Sequence, residues 1–207
     1  MAISIAANRM PTLMAQLRDA TAMVHEEREL LAGRVSWLDY RLYLVRMYGF
    51  HAAVERALVA SPLLATVVVD AGLRNHKTAL LAADLVALGV QRRDLAQIPR
   101  MAFPGTLALH EALGWTYVVE SATLGGKQLA RHLARQLPAE IQSGSAYLGC
   151  YGDEAPERWR QLGVALEDFA AAERSGDRMV AAARDGFVQL RAWVRPGLQP
   201  RSSRIHA

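Results

Sequence analysis

With 207 residues, 52% of them hydrophobic and 21% charged, the chain suits one domain with a buried core. Its one cysteine, Cys150, excludes an intrachain disulfide and a cysteine-built zinc or iron–sulfur cage, and the composition points to a cytoplasmic protein. A net charge of +4 admits nucleic acid or an acidic redox protein as partner without choosing between them. No apolar run approaches the ~20 residues that span a bilayer.

The residue pattern is helical from end to end. Residues 1–10 lack the basic and apolar regions of a secretory signal and are expected to form a flexible N-terminus. Thr12 can cap a first helix running to about Leu31, with Gly33 at its end. Ser36 caps a second to about Val59. Ser61-Pro62 is a helix start, and the helix that follows is expected to reach Leu88 and stop at Gly89. The Thr66-Val67-Val68-Val69 run has strand-like composition, but its helical flanks argue against a sheet. Residues 91–105, with Pro99 and Pro104, read as a connection. A long helix is expected from Thr106 to His132, then a short segment from Pro138 and a glycine-bearing loop over 143–153. Two helices, Pro156–Arg174 and Asp177–Val194, are separated by Ser175-Gly176. The expected architecture is a single all-α bundle over 11–195, with a flexible tail over 196–207.

Little in the sequence favours common enzyme chemistries. No two of the six histidines stand four apart on one helix, which removes a helical zinc pair. No phosphate loop or nucleophile elbow is present. Three features stand out. His25 lies on the inward stripe of the first helix, four residues before Glu29. A carboxylate there can hold one imidazole nitrogen and leave the other to bind a metal; an ordinary half-buried helix histidine reads the same way. Gly125-Gly126 lies inside a helix, where each glycine costs about 1 kcal/mol relative to alanine. The pair suits a backbone that must approach a flat ligand or bend, and equally suits close helix packing. Arg18, two turns before His25, and Arg160 can pair with carboxylates, although a surface arginine is more often simply solvated.

Leu17-Arg18-Asp19-Ala20-Thr21 followed by Val24-His25 resembles the opening motif of the haem oxygenase family. Tyr117-Val118-Val119-Glu120-Ser121-Ala122-Thr123-Leu124-Gly125-Gly126 resembles the distal helix of its bacterial members, particularly those associated with bacteriophytochromes. Weaker similarity continues through Trp159-Arg160 and from Ala181 to Trp193. The resemblance implies a bundle that sandwiches haem between a proximal and a distal helix. His25 would be the axial iron ligand and Glu29 its support. The Gly125-Gly126 backbone, with Ser121 where many members have glycine, would lie over the other face. Arg18 and Arg160 would be propionate partners, Tyr117 a weaker one, and Phe187 would pack on the macrocycle. Ala122 stands where mammalian-type members carry an aspartate that organises water, so the proton path must differ; Glu120 and Thr123 are the alternatives nearby.

The implied activity is cleavage of haem, both cofactor and substrate, to biliverdin, CO and ferrous iron with O2. Electrons would come from an external donor such as a ferredoxin or reductase, since the chain has no flavin or nicotinamide motif. A bacteriophytochrome would be a possible biliverdin acceptor, and neither nucleic acid nor membrane is implied. The alternatives are a non-catalytic haem or tetrapyrrole carrier of the same fold, and a related bundle that binds another small molecule.

Overall fold

The computed structural model describes residues 12–21 and 33–194, with backbone only for Ala122 and Thr123. The described residues form helices and connections with no strand. The helices are α1 (Leu13–Thr21), α2 (Trp37–Val59), α3 (Leu64–Val67), α4 (Ala71–Arg74), α5 (Lys77–Ala87), α6 (Leu109–Ala134), α7 (Pro138–Ser143), α8 (Ala155–Glu173) and α9 (Gly176–Val194). Two 3-10 turns, at Arg92–Gln97 and Gly152–Glu154, complete the set.

The local signals act where the sequence places them. The Thr12 hydroxyl accepts from the Ala15 amide, and the next exposed amides at that end, Leu13 and Met14, donate to the Glu167 carboxylate on α8. An anion at a helix start is favoured by the unpaired amides and the dipole, so α1 is tied to α8 at its first turn. At α2, Ser36 accepts from the Asp39 amide while Asp39 accepts from the Ser36 amide, a reciprocal cap. Ser36→Ala is expected to cost ~1 kcal/mol in urea unfolding with an unchanged m-value. Between α8 and α9, Arg174 takes the left-handed conformation, φ 49, where the sequence suggested only a Ser175-Gly176 turn.

The expected single helix from Pro62 to Leu88 is instead three short ones. The chain leaves the helix at Val68, in extended conformation, and Asp70 turns left-handed with φ 59. A second break falls at Asn75–His76. The β-branched run Thr66–Val69 gives up helical geometry at modest cost. The turns bring Arg74 and Lys77, 3% and 0% exposed, into the interior, where a straight helix would not aim both.

The core lies between α6 and its neighbours, centred on Leu17, Leu44, Leu113, Leu129, Leu133, Leu162 and Leu166. The α6–α9 crossing is tight. A Cβ on Gly114 would lie 2.6 Å from the Met179 carbonyl oxygen, and one on Gly186 would lie 2.8 Å from Val118. Only glycine at these two positions lets the helices approach so closely. This fixes Tyr117 of α6 opposite Phe187 of α9. On the far side α2 packs against both α5 and α9, and the Trp193 indole donates to the Arg46 carbonyl.

Candidate haem-binding face on the central helix

Helix α6 runs unbroken through Gly125-Gly126, so the glycine pair neither ends nor interrupts it. Tyr117, Ser121 and Gly125 are spaced four apart and share one face. Tyr117 is buried under Trp159 of α8, with ring centres 5.2 Å apart, and Phe187 of α9, at 6.4 Å. Its hydroxyl lies near the side chain of Thr21, the last described residue of α1. The Thr21 hydroxyl donates to the Leu17 carbonyl. Burial raises the Tyr117 pKa above the usual phenol value; the Thr21 bond and the Arg18 charge pull it down and Asp19 pushes it up. The phenol therefore stays protonated.

Beyond Tyr117 the face is made of small groups. The Ser121 hydroxyl folds back to donate to the Val118 carbonyl at 2.8 Å, so it adds little height to the surface. Gly125 is half-buried, and Leu124 beside it is 46% exposed, a large apolar side chain left uncovered. Gly126 is buried, and a Cβ there would sit 2.4 Å from the Leu148 carbonyl oxygen, so this glycine serves packing against the 144–151 loop. The packing reading of the pair thus applies to Gly126.

The other candidates are placed as follows. His25 and Glu29 lie outside the described residues. Arg18 is exposed on α1 beside Asp19 at 3.5 Å. Arg160 is exposed on α8, where its guanidinium donates twice to Glu157; the pair lowers the Glu157 pKa to about 2. Arg160 is not brought to Tyr117, although its neighbour Trp159 is. Among the described residues no cluster of three His, Cys, Asp or Glu side chains can hold a metal, and no helix is long and apolar enough to cross a membrane.

Glu120 is committed elsewhere. It is 2% exposed and accepts from Arg74 at 2.9 Å, from Lys77 at 2.7 Å and from the Tyr151 hydroxyl at 3.0 Å. Lys77 spends its other donors on the Arg74 carbonyl and on Tyr151. A second buried polar group lies on α2, where His51 Nε2 meets the Tyr147 hydroxyl at 3.1 Å. Its Nδ1 stands 3.9 Å from Glu55, too long for a hydrogen bond. Burial, reinforced by Lys77, lowers the His51 pKa well below the ordinary value, so the contact is not an ion pair. Pattern reading passes over Arg74, Lys77 and Tyr151 because charges in a helical stretch normally face water. The usable signal was a carboxylate, Glu120, directly after the mostly apolar stretch Trp115–Val119, which requires cations to meet it.

The family model for heme oxygenase matches residues 11–196. Among solved structures, the chain is similar to the NO- and CO-bound heme oxygenase from Neisseria meningitidis, with TM-score 0.74 and 21% identity. The match covers 94% of this chain and 96% of that one. No curated protein matches the chain. The all-α bundle, the tight α6–α9 crossing and the match across 11–196 agree, and the chain belongs to the heme oxygenase family.

Proposed function

We propose that the protein binds haem between the chain following α1 and the Tyr117–Ser121–Gly125 face of α6, and cleaves it oxidatively to biliverdin, CO and ferrous iron. The observation that carries this reading is the approach of Thr21, at the end of α1, to Tyr117. It delivers the chain to that face four residues before His25, and four residues extend at most ~14 Å. That reach supports the reading that His25 faces Ser121 and Gly125.

The residues present fit a flat, mostly apolar macrocycle. Ser121 and Gly125 leave the α6 backbone close to the surface. Leu124 offers an uncovered apolar contact, and the Tyr117–Trp159–Phe187 cluster closes one edge. His25 would be the axial ligand, with Glu29 holding its other ring nitrogen and raising its basicity. Bound haem would supply the iron at which O2 is activated and is itself the molecule consumed. The chain's own part is positional. The small groups at Ser121 and Gly125 would let a ring approach the α6 backbone closely, while Tyr117 would close one edge beside Trp159 and Phe187. Glu120 is occupied by two cations and is a poor proton donor to this face. Arg18 is free to turn towards a propionate, whereas Arg160 would first have to leave Glu157. The electron donor would be an external redox protein, and a bacteriophytochrome is a candidate acceptor for the product.

Titration of purified protein with haemin should give a sharp Soret band. His25→Ala should lose that band's position and most of the affinity while keeping the helical circular-dichroism spectrum. Addition of O2 and a reductant to the wild type should replace the Soret band by biliverdin absorption. A stable Soret band through reduction and oxygenation would instead mark a haem carrier, and unchanged haem binding in His25→Ala would refute the ligand assignment.

A further inference from the structure

Resting on the haem-binding reading above, we propose that the 144–151 loop is a brace that sets the height of the Ser121–Gly125 stretch over the bound ring, and that Gly126 and Tyr151 are its positioning residues. The loop is fixed to the rest of the bundle before it reaches α6. The Tyr40 hydroxyl donates to the Gly144 carbonyl at 2.6 Å. The Asp84 carboxylate accepts from the Ala146 and Tyr147 amides at 2.7 and 2.8 Å, and the Tyr147 hydroxyl meets His51. Three side chains, two on α2 and one on α5, thus hold the loop's first half.

The loop then touches α6 at two points that bracket the candidate face. Leu148 lies against Gly126, and the Tyr151 hydroxyl donates to Glu120. Tyr151 adopts φ 64 there, an uncommon conformation for an aromatic residue, with Lys77 and Arg158 over its ring. At about 100° per residue, Gly126 points about 140° from the centre of the Tyr117–Ser121–Gly125 stripe, while Glu120 lies on its flank, about 100° from that centre. The contact at Gly126 is backbone on backbone and leaves no slack, while the ion cluster at Glu120 resists rotation and sliding. A methyl added at 126 must separate helix and loop. Because the loop is anchored behind, the displacement passes to the helix, towards the ring.

The test is Gly126→Ala and Tyr151→Phe beside the wild type and Gly49→Ala, all reconstituted with haemin. Gly49 is an equally tight glycine on α2, its Cβ position 2.3 Å from the Pro99 carbonyl oxygen, so it controls for general overpacking. Readouts are the C–O stretch of the ferrous CO adduct, the biliverdin isomer composition and the single-turnover rate. Gly126→Ala is expected to shift the stretch and mix the isomers, with a rate loss of roughly 10²-fold for a displacement near 1 Å. Tyr151→Phe should shift both in the same direction by less, and Gly49→Ala should keep the wild-type stretch and isomer. A folded Gly126→Ala with wild-type stretch and isomer composition overturns the brace, as does an equal shift in Gly49→Ala. Should Gly126→Ala fail to fold, Tyr151→Phe decides: a shifted stretch supports the brace and an unchanged one overturns it. A wild type that takes up no haem sinks the haem-binding reading instead. The brace is then judged by amide exchange over 117–126 in the haem-free proteins, where faster exchange in Tyr151→Phe supports it and unchanged protection overturns it.

Discussion

Glu120→Ala is expected to destabilise the protein by about 3–5 kcal/mol, since it strips the shared carboxylate from two buried cations. Arg74 and Lys77 are 3% and 0% exposed and were brought inward by the breaks in the Pro62–Leu88 segment. Without Glu120, Arg74 keeps only carbonyl partners, Val69 and Arg158, and Lys77 keeps the Arg74 carbonyl and the Tyr151 hydroxyl. Those dipoles cannot replace a full negative charge in a site closed to water. Glu120→Gln should be nearly as damaging, because it preserves the shape and removes the charge. Thermal unfolding should show midpoints lowered by on the order of 10 °C in both variants. A loss below 1 kcal/mol would mean that water reaches the cluster. By contrast, truncating the exposed Lys127–Asp153 pair at 2.7 Å should leave the midpoint almost unchanged, because solvent already screens it.

Acidification should weaken the fold through His51. In the unfolded chain this imidazole titrates near its ordinary value of 6.5, whereas in the folded protein burial, reinforced by Lys77, holds its pKa well below that. The unfolded state therefore binds a proton first. His51 contributes stability in full above 6.5 and progressively less as the pH falls through and beneath that value. The loss approaches about 1.4 kcal/mol per pH unit until the folded form also takes up the proton. Glu55 and Asp84 act in the opposite sense. Burial raises both carboxyl pKa values against the pull of their amide partners, so their protonation on acidification favours the folded state. Urea unfolding from pH 7.5 to 5, wild type against His51→Gln, isolates the histidine. The wild type should lose stability faster over that range, and the difference between the curves should become constant above pH 7. Parallel curves throughout would show that His51 is charged or wet in the folded state.

Much of the bundle was legible from local signals. The Ser36 cap, the end of α2 at Val59, the Pro138 start of α7 and the α8–α9 joint all depend on a few neighbouring residues, and all occur close to their expected places. The start of α6 moved from Thr106 to Leu109, where the Glu111 carboxylate accepts from the Ala108 amide. The fragmentation of 62–88 was not legible, since its cause is Glu120, far along the chain. The packing role of Gly126 was equally hidden, because its partner is the backbone of Leu148 and a backbone carries no residue-specific signal. At the site, the Tyr117–Ser121–Gly125 stripe follows from helical spacing alone. Its meeting with α1 required the fold.

The break in the 62–88 segment also places a limit on how this protein can be improved. At Val68–Asp70 local preference and global need diverge: the flanking residues would extend a helix, and the ion cluster requires that they do not. A substitution that raised helix propensity there would look favourable by any local measure, yet it would work against the inward course of Arg74 and Lys77. The segment is a point of frustration that the native contacts hold in check. Consensus-style stabilisation, helpful on exposed helix faces, is therefore the wrong instrument at this corner.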